Sequence, residues 1–173
     1  MSNKTWIYTP SPENDARTLL GTEGHRPLVC IGINPSTAAP ESLDRTVTTV
    51  ERVAAYGDYD SFMMLNVYPQ RATDPEDIHP AMDPQLHQWN LRSIAAFVAG
   101  RDLPVWAAWG TLIRKRQYLA GLLSEIVALP ELSNCTWWSR GARTMDGHPH
   151  HPLYVRHDAP LDPFDVGTYL GSL

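Results

Sequence analysis

The 173-residue sequence predicts an α/β fold in three layers, helices packed on both faces of a central four-stranded parallel sheet. Two observations predict it. Three short apolar runs, 28–33, 61–66 and 105–109, are continuous rather than alternating, as expected for strands covered on both faces. Amphipathic helical patterns separate the runs, and alternation of strand with helix is what builds a parallel sheet.

The elements follow in order. The first strand, 28–33, empties into Gly32-Ile33-Asn34-Pro35, where Pro35 prevents a regular central strand from continuing. A helix is predicted over 44–56, with Val47, Val50 and Val53 on one stripe, Asp44 as N-cap and Gly57 as its stop. The second strand, 61–66, reads SFMMLN. The next helix, 84–99, carries Leu91, Ile94, Ala95 and Val98 at helical spacing and stops at Gly100. The third strand, 105–109, reads VWAAW, and a helix over 111–128 follows, with Leu119, Leu122, Leu123 and Ile126 apolar and Pro130 ending it. A fourth strand is expected at 135–138. No linker composition divides the chain, so residues 1–173 are read as one domain.

Composition narrows the function classes. No stretch is long and apolar enough to span a bilayer, and MSNKTWIYTP lacks the apolar core of a signal peptide. Cys30 and Cys135 lie far apart and make neither a disulfide nor a metal spacing; reduced, structural thiols suit a cytoplasmic protein. The net charge of −5 counts against a strongly basic nucleic-acid binder. Local charge leaves that partner open, because Arg114, Lys115 and Arg116 are adjacent, and Arg140, Arg143 and Arg156 gather near the C-terminus.

Ligands of such sheets bind outside the carboxyl ends of the strands. That rule sorts the unusual polar residues to one end: 32–37, 66–69, 109–111 and the loop Gly147-His148-Pro149-His150-His151-Pro152. Asn34 either orients a ligand or water, with backbone N–H groups nearby, or bonds its own turn. Asn66 offers donor and acceptor together, which can read a nucleobase edge or satisfy a neighbouring loop. Tyr68 stacks on a base or packs. Three histidines in four residues raise zinc, but prolines interrupt them and no partner set exists elsewhere; no metal or other cofactor is expected. A neutral histidine donating to developing negative charge is the better functional reading. Of the basic run, at most two residues can meet one phosphate track, and a solvated helix face is the alternative. Arg71 is either a phosphate contact or the partner of Asp74 in an ordered loop.

Together these strand ends resemble the uracil-DNA glycosylase superfamily over residues 28–155. Gly32-Ile33-Asn34-Pro35 is similar to the G-I-N-P motif of its mismatch-specific branch, and Met64-Leu65-Asn66 to the L-L-N whose asparagine recognises the pyrimidine. Trp106-Ala107-Ala108-Trp109-Gly110 with its basic helix resembles the strand V-F-L-L-W-G, and the histidine segment lies where the superfamily carries H-P-S-P-L-S. A closer resemblance is to a bacterial and phage family of unknown function. Its pattern N-P-S-T-A, D-x-T, N-x-x-x-x-R-A-T-D-P, W-G and H-P-L-Y is met by 34–38, Asp44 with Thr46, Asn66 with 71–75, Trp109-Gly110, and 151–154.

The superfamily resemblance implies a DNA glycosylase-like hydrolase that flips out a damaged or modified base, a pyrimidine by preference, and cleaves its N-glycosidic bond in DNA repair. On that reading Gly32, Pro35, Ser36, Asn66 and Tyr68 hold the base. Asn34 positions water, and His151 or His148 stabilises the departing base. Thr111, Arg114, Lys115 and Arg71 meet the backbone of single- or double-stranded DNA, with Leu153 a wedge; apart from the resemblance, a monomer is expected. Asn34 stands where the most active branch has aspartate, so Asp44 or Asp74 would have to supply the carboxylate. The alternatives are a non-catalytic binder of nucleotides or modified nucleic acid, and a hydrolase of free nucleosides or nucleotides.

Overall fold

The structure, a computed structural model, describes residues 4–173. It is of the α/β class, but its single sheet has seven strands and is mixed, not four-stranded and parallel. The strands are β1 (Trp6–Pro10), β2 (Arg17–Thr22), β3 (Pro27–Gly32), β4 (Ser61–Asn66), β5 (Pro104–Ala107), β6 (Thr136–Arg140) and β7 (Leu161–Pro163). Their spatial order is β1-β2-β4-β3-β5-β6-β7. Neighbours in the stretch β4-β3-β5-β6 pair parallel, while β1, β2 and β7 join antiparallel at the two sides. The four helices among the described residues are α1 (Arg45–Tyr56), α2 (Pro84–Val98), α3 (Tyr118–Val127) and α4 (Val166–Gly171).

Period-two alternation along the central strands makes two cores. Val29 and Ile31 of β3, Met63 and Leu65 of β4, and Val105 and Ala107 of β5 face one core. Leu28 and Cys30, Phe62 and Met64, and Trp106 and Ala108 face the other. Helix α1 covers this second face with Val47, Val50, Val53 and Ala54. Ile94 and Val98 of α2, Leu119, Leu122, Leu123 and Ile126 of α3, and Tyr169 of α4 cover the first. Because both faces are covered, the central strands carry no polar alternation. Each large aliphatic side chain buried here contributes about 1.5–3 kcal/mol. Both cysteines are free and buried, and burial pushes the Cys30 thiol pKa up.

Local chemistry sets the helix ends. The Asp44 carboxylate accepts from Val47 N at 2.9 Å and caps α1, an interaction worth about 1 kcal/mol. Asp83 caps α2 through Gln85 N and Leu86 N, and Pro84 fills its first turn. The expected helix 111–128 is broken: a 3₁₀ turn covers Gly110–Arg114 and α3 starts at Tyr118. The break lets buried Ile113 reach the core, while the Arg116 guanidinium turns back onto the carbonyls of Glu76, Ile78 and His79. No helix among the described residues is long and apolar enough to cross a membrane.

Close approach fixes Gly21. It lies in β2 between β1 and β4, and a Cβ there would stand 2.8 Å from Met63 Cα and collide with the Phe62 carbonyl oxygen. Gly21→Ala therefore forces backbone apart rather than a side chain. We expect a loss of at least about 1–3 kcal/mol in urea unfolding, whereas Gly121→Ala, where nothing lies within 4 Å, will not destabilise.

Candidate functional site

The carboxyl ends of β3, β4 and β5 open on one cavity of about 890 Å³. Gly32, Asn34, Pro35 and Ser36 line it from β3 and its loop, Asn66 from β4, and Trp109, Gly110 and Thr111 from the turn after β5. The cap of α1 adds Asp44, and the histidine loop adds His150, His151, Leu153 and Tyr154. Arg17 completes the wall from β2.

Backbone pairing draws the strand ends together. Gly32 pairs with Asn66 across β3 and β4. Beyond the strands, Val67 N donates to Gly32 O and Tyr68 N to Ile33 O, each at 2.9 Å. The Asn34 amide uses its NH₂ on the carbonyls of Pro35 (3.0 Å) and Ala72 (2.8 Å), tying the two loops to each other. Asn34 therefore acts as a turn asparagine, and only its carbonyl oxygen remains for a ligand. Ser36 Oγ and Thr73 Oγ1 close the same seam at 2.8 Å.

Asn66 is 1 % exposed. Its main-chain carbonyl accepts from Asn90 Nδ2 of α2 at 2.8 Å. Its Oδ1 receives a long hydrogen bond, 3.5 Å, from Arg17 Nη2, and this orients Nδ2 away from Arg17. Nδ2 has no partner. The missing side chain of Gly32 leaves room there, since a Cβ would stand 3.2 Å from Nδ2.

Arg17 was not anticipated from the sequence. It is also 1 % exposed; Nη1 donates to Ala38 O at 2.9 Å, and Nε has no partner. Burial first, and then the charge of Arg71, lower its pKa from 12.5 to about 10, against a counteracting effect of Asp44. No carboxylate among the described residues forms an ion pair with Arg17 or Arg71. Among the described residues Asp44 is the one acidic residue in the cavity wall.

The two His-Pro pairs separate cleanly. His151 lines the cavity, and its Nδ1 accepts from Leu153 N at 3.3 Å, which leaves the proton of the neutral ring on Nε2. Burial lowers its pKa below the ordinary 6.5, with Asp44 opposing. His148 instead lies in the core, 1 % exposed and away from the cavity wall. Tyr169 explains this: Trp109 Nε1 donates to Tyr169 Oη at 3.0 Å, and Oη shares a second hydrogen bond of 2.8 Å with His148 Nδ1. Burial lowers the His148 pKa as well, helped by Arg114.

Other expected site residues lie elsewhere. Tyr68 is fully buried; its hydroxyl bonds His79 Nδ1 at 2.9 Å and accepts from Asp83 N at 3.0 Å, so it does not face a ligand. Arg71 braces the cavity loop from behind, donating to the carbonyls of Ser36 and Ala38 and to Tyr8 Oη, and does not pair with Asp74. Asp74 caps a 3₁₀ turn through Glu76 N. Lys115 pairs with Glu76, and Arg114 lies at 4.0 Å from Asp146, its side chain 58 % exposed. Neither Lys115 nor Arg114 lines the cavity.

Two measurements check this account. Tyr169→Phe leaves Trp109 Nε1 and His148 Nδ1 without partners, and we expect about 1–3 kcal/mol lost for each in denaturant unfolding. The second concerns pH. A neutral buried histidine has its folded pKa below 6.5, so the unfolded chain binds more protons on the acid side. The stability it contributes is complete above pH 6.5 and is lost as pH falls through the folded value. His148→Gln will flatten part of that acid slope, and His151 accounts for a further part in the same direction.

No curated protein matches the chain, and no solved structure matches it. A family model described as a protein of unknown function, DUF1643, matches residues 17–153, which run from Arg17 through the strand ends to the turn after His151. The chain belongs to the DUF1643 family.

Proposed function

We propose that the protein hydrolyses the N-glycosidic bond of a damaged or modified pyrimidine, a DNA glycosylase-like reaction. One observation carries the reading. An unpartnered amide (Asn66 Nδ2), a neutral histidine with its proton on the free nitrogen (His151) and a carboxylate (Asp44) share one cavity of a ligand-sized volume. Asn66 Nδ2 donates to an oxygen on the base. His151 Nε2 donates to the leaving base as negative charge builds there. Asp44 uses the carboxylate oxygen that does not cap α1 to receive the proton of the attacking water and to offset the oxocarbenium charge. Water attacks the anomeric carbon, the C–N bond breaks with its electron pair leaving on the base, and a proton is returned to the base. The Asn34 NH₂ is held by Pro35 and Ala72, so its carbonyl oxygen is the atom left to orient the attacking water.

The second reading is a hydrolase of free nucleosides or nucleotides. It is favoured by the basic run, in which Lys115 and Arg116 are held by the protein's own groups rather than presented as a track. A non-catalytic nucleotide binder is the third outcome.

The test is base release, measured from DNA containing uracil, mismatched or hypermodified pyrimidines and, in parallel, from the free nucleosides and nucleotides. Asp44→Asn retains an N-cap of equal strength, so it will fold while turnover falls by about 10²–10⁴. Asn66→Ala and His151→Gln will each lower turnover, His151→Gln by about 10²–10³. Folded protein that releases no base from any of these substrates would overturn the proposal.

A further inference from the structure

A guanidinium sealed into a cavity wall without an acidic partner is costly, because its desolvation is not recovered by a counter-charge. Arg17 is in that position. The acceptors around it and Arg71 are all neutral: the carbonyls of Ala38 and Ser36, Asn66 Oδ1 and Tyr8 Oη. Holding the Ala38 carbonyl needs only Nη1. Arg17 Nε and Asn66 Nδ2 remain, two buried donors without acceptors on the same wall. Gly32 keeps a Cβ away from Asn66 Nδ2, where it would also collide with the Met64 methyl. Asp44, the wall's carboxylate, is engaged in capping α1 and forms no ion pair with Arg17.

We propose that the inner wall of the cavity is an oxyanion subsite, with Arg17 as its fixed cation and Asn66 Nδ2 as its neutral donor. The ligand therefore enters with a negatively charged oxygen foremost, on a carboxylate or a phosphate. This rests on the cavity being the ligand site and adds the charge of the group that reaches its inner end. An anion there returns the desolvation cost of Arg17 through charge-assisted hydrogen bonds, which a neutral carbonyl does only weakly. Arg71 reinforces the preference from behind the Ser36–Ala38 loop, since it carries a second positive charge without an ion-pair partner among the described residues.

The experiment is calorimetric titration of the whole chain at fixed ionic strength with inorganic phosphate, with orotate as a pyrimidine carboxylate, and with uridine as the neutral control. Saturable binding of one or both anions is expected, with uridine weaker by at least about tenfold, the scale of one charge-assisted hydrogen bond. Preference for phosphate assigns the subsite to a phosphate monoester, and preference for orotate assigns it to an acidic substituent on the base. Arg17→Gln will abolish anion binding. Asn66→Asp gives Arg17 an internal carboxylate, so it will bind neither anion yet unfold at the same or a higher temperature than the parent chain. This second variant decides the matter if Arg17→Gln does not fold. The proposal is overturned if the parent chain binds neither anion, if Arg17→Gln binds them undiminished, or if Asn66→Asp still binds them or is destabilised. Anion binding without base release would remove the hydrolase reading and keep the subsite; base release from neutral nucleosides without anion binding would do the reverse.

Discussion

Six residue pairs between β3 and β4, from Pro27 opposite Ser61 to Gly32 opposite Asn66, determine where everything else in the site falls. A slip of one residue would exchange the faces of the whole strand, sending Val29 and Ile31 to the α1 side and Leu28 and Cys30 to the other. Burial on both sides makes that slip expensive. The same register sets Gly32, the one glycine among these paired residues, against Asn66, so the ladder that builds the core also keeps a Cβ off the Asn66 amide.

Charge is distributed unevenly around that cavity. Arg17 lies in its wall and Arg71 behind the Ser36–Ala38 loop, both among neutral acceptors, while Asp44 stands at the start of α1. Burial lowers the pKa values of both Arg17 and His151 and the Asp44 carboxylate opposes it in each, so a single negative charge acts on a cation and a neutral ring at once. Neutralising it removes a helix cap's charge and alters both neighbours together. This coupling is why the cap position, ordinary in a surface helix, has chemical weight here.

The sequence made the inner strands legible because both their faces are buried, which leaves unbroken apolar runs. The outer strands were not legible for the converse reason. β1 (WIYTP) is half-buried throughout and ends in proline, β2 opens on a charged residue, and β7 has only three residues, LDP. Asp44, Asn66, Gly32 and His151 could be read because strand ends and caps have positional signatures. Arg17 could not: a buried cation has no periodicity, and its meaning depends on Ala38 and Asn66, which are distant in sequence. His148 and His151 are each followed by proline, and only Tyr169, far along the chain, tells them apart. The basic run was read into one unbroken helix because propensity does not register that Ile113 must reach the core.

Through Tyr169 the histidine loop depends on a helix that does not itself line the cavity. Trp109 follows β5 and His148 anchors the loop, yet the hydroxyl joining them is on α4, a helix of six residues. Displacing α4 would therefore strip the buried partner from both rings at once. The loop that carries His151 would lose its anchor while β3 and β4 stayed paired. A short peripheral helix thus works as a latch, holding a wall of the cavity from outside it.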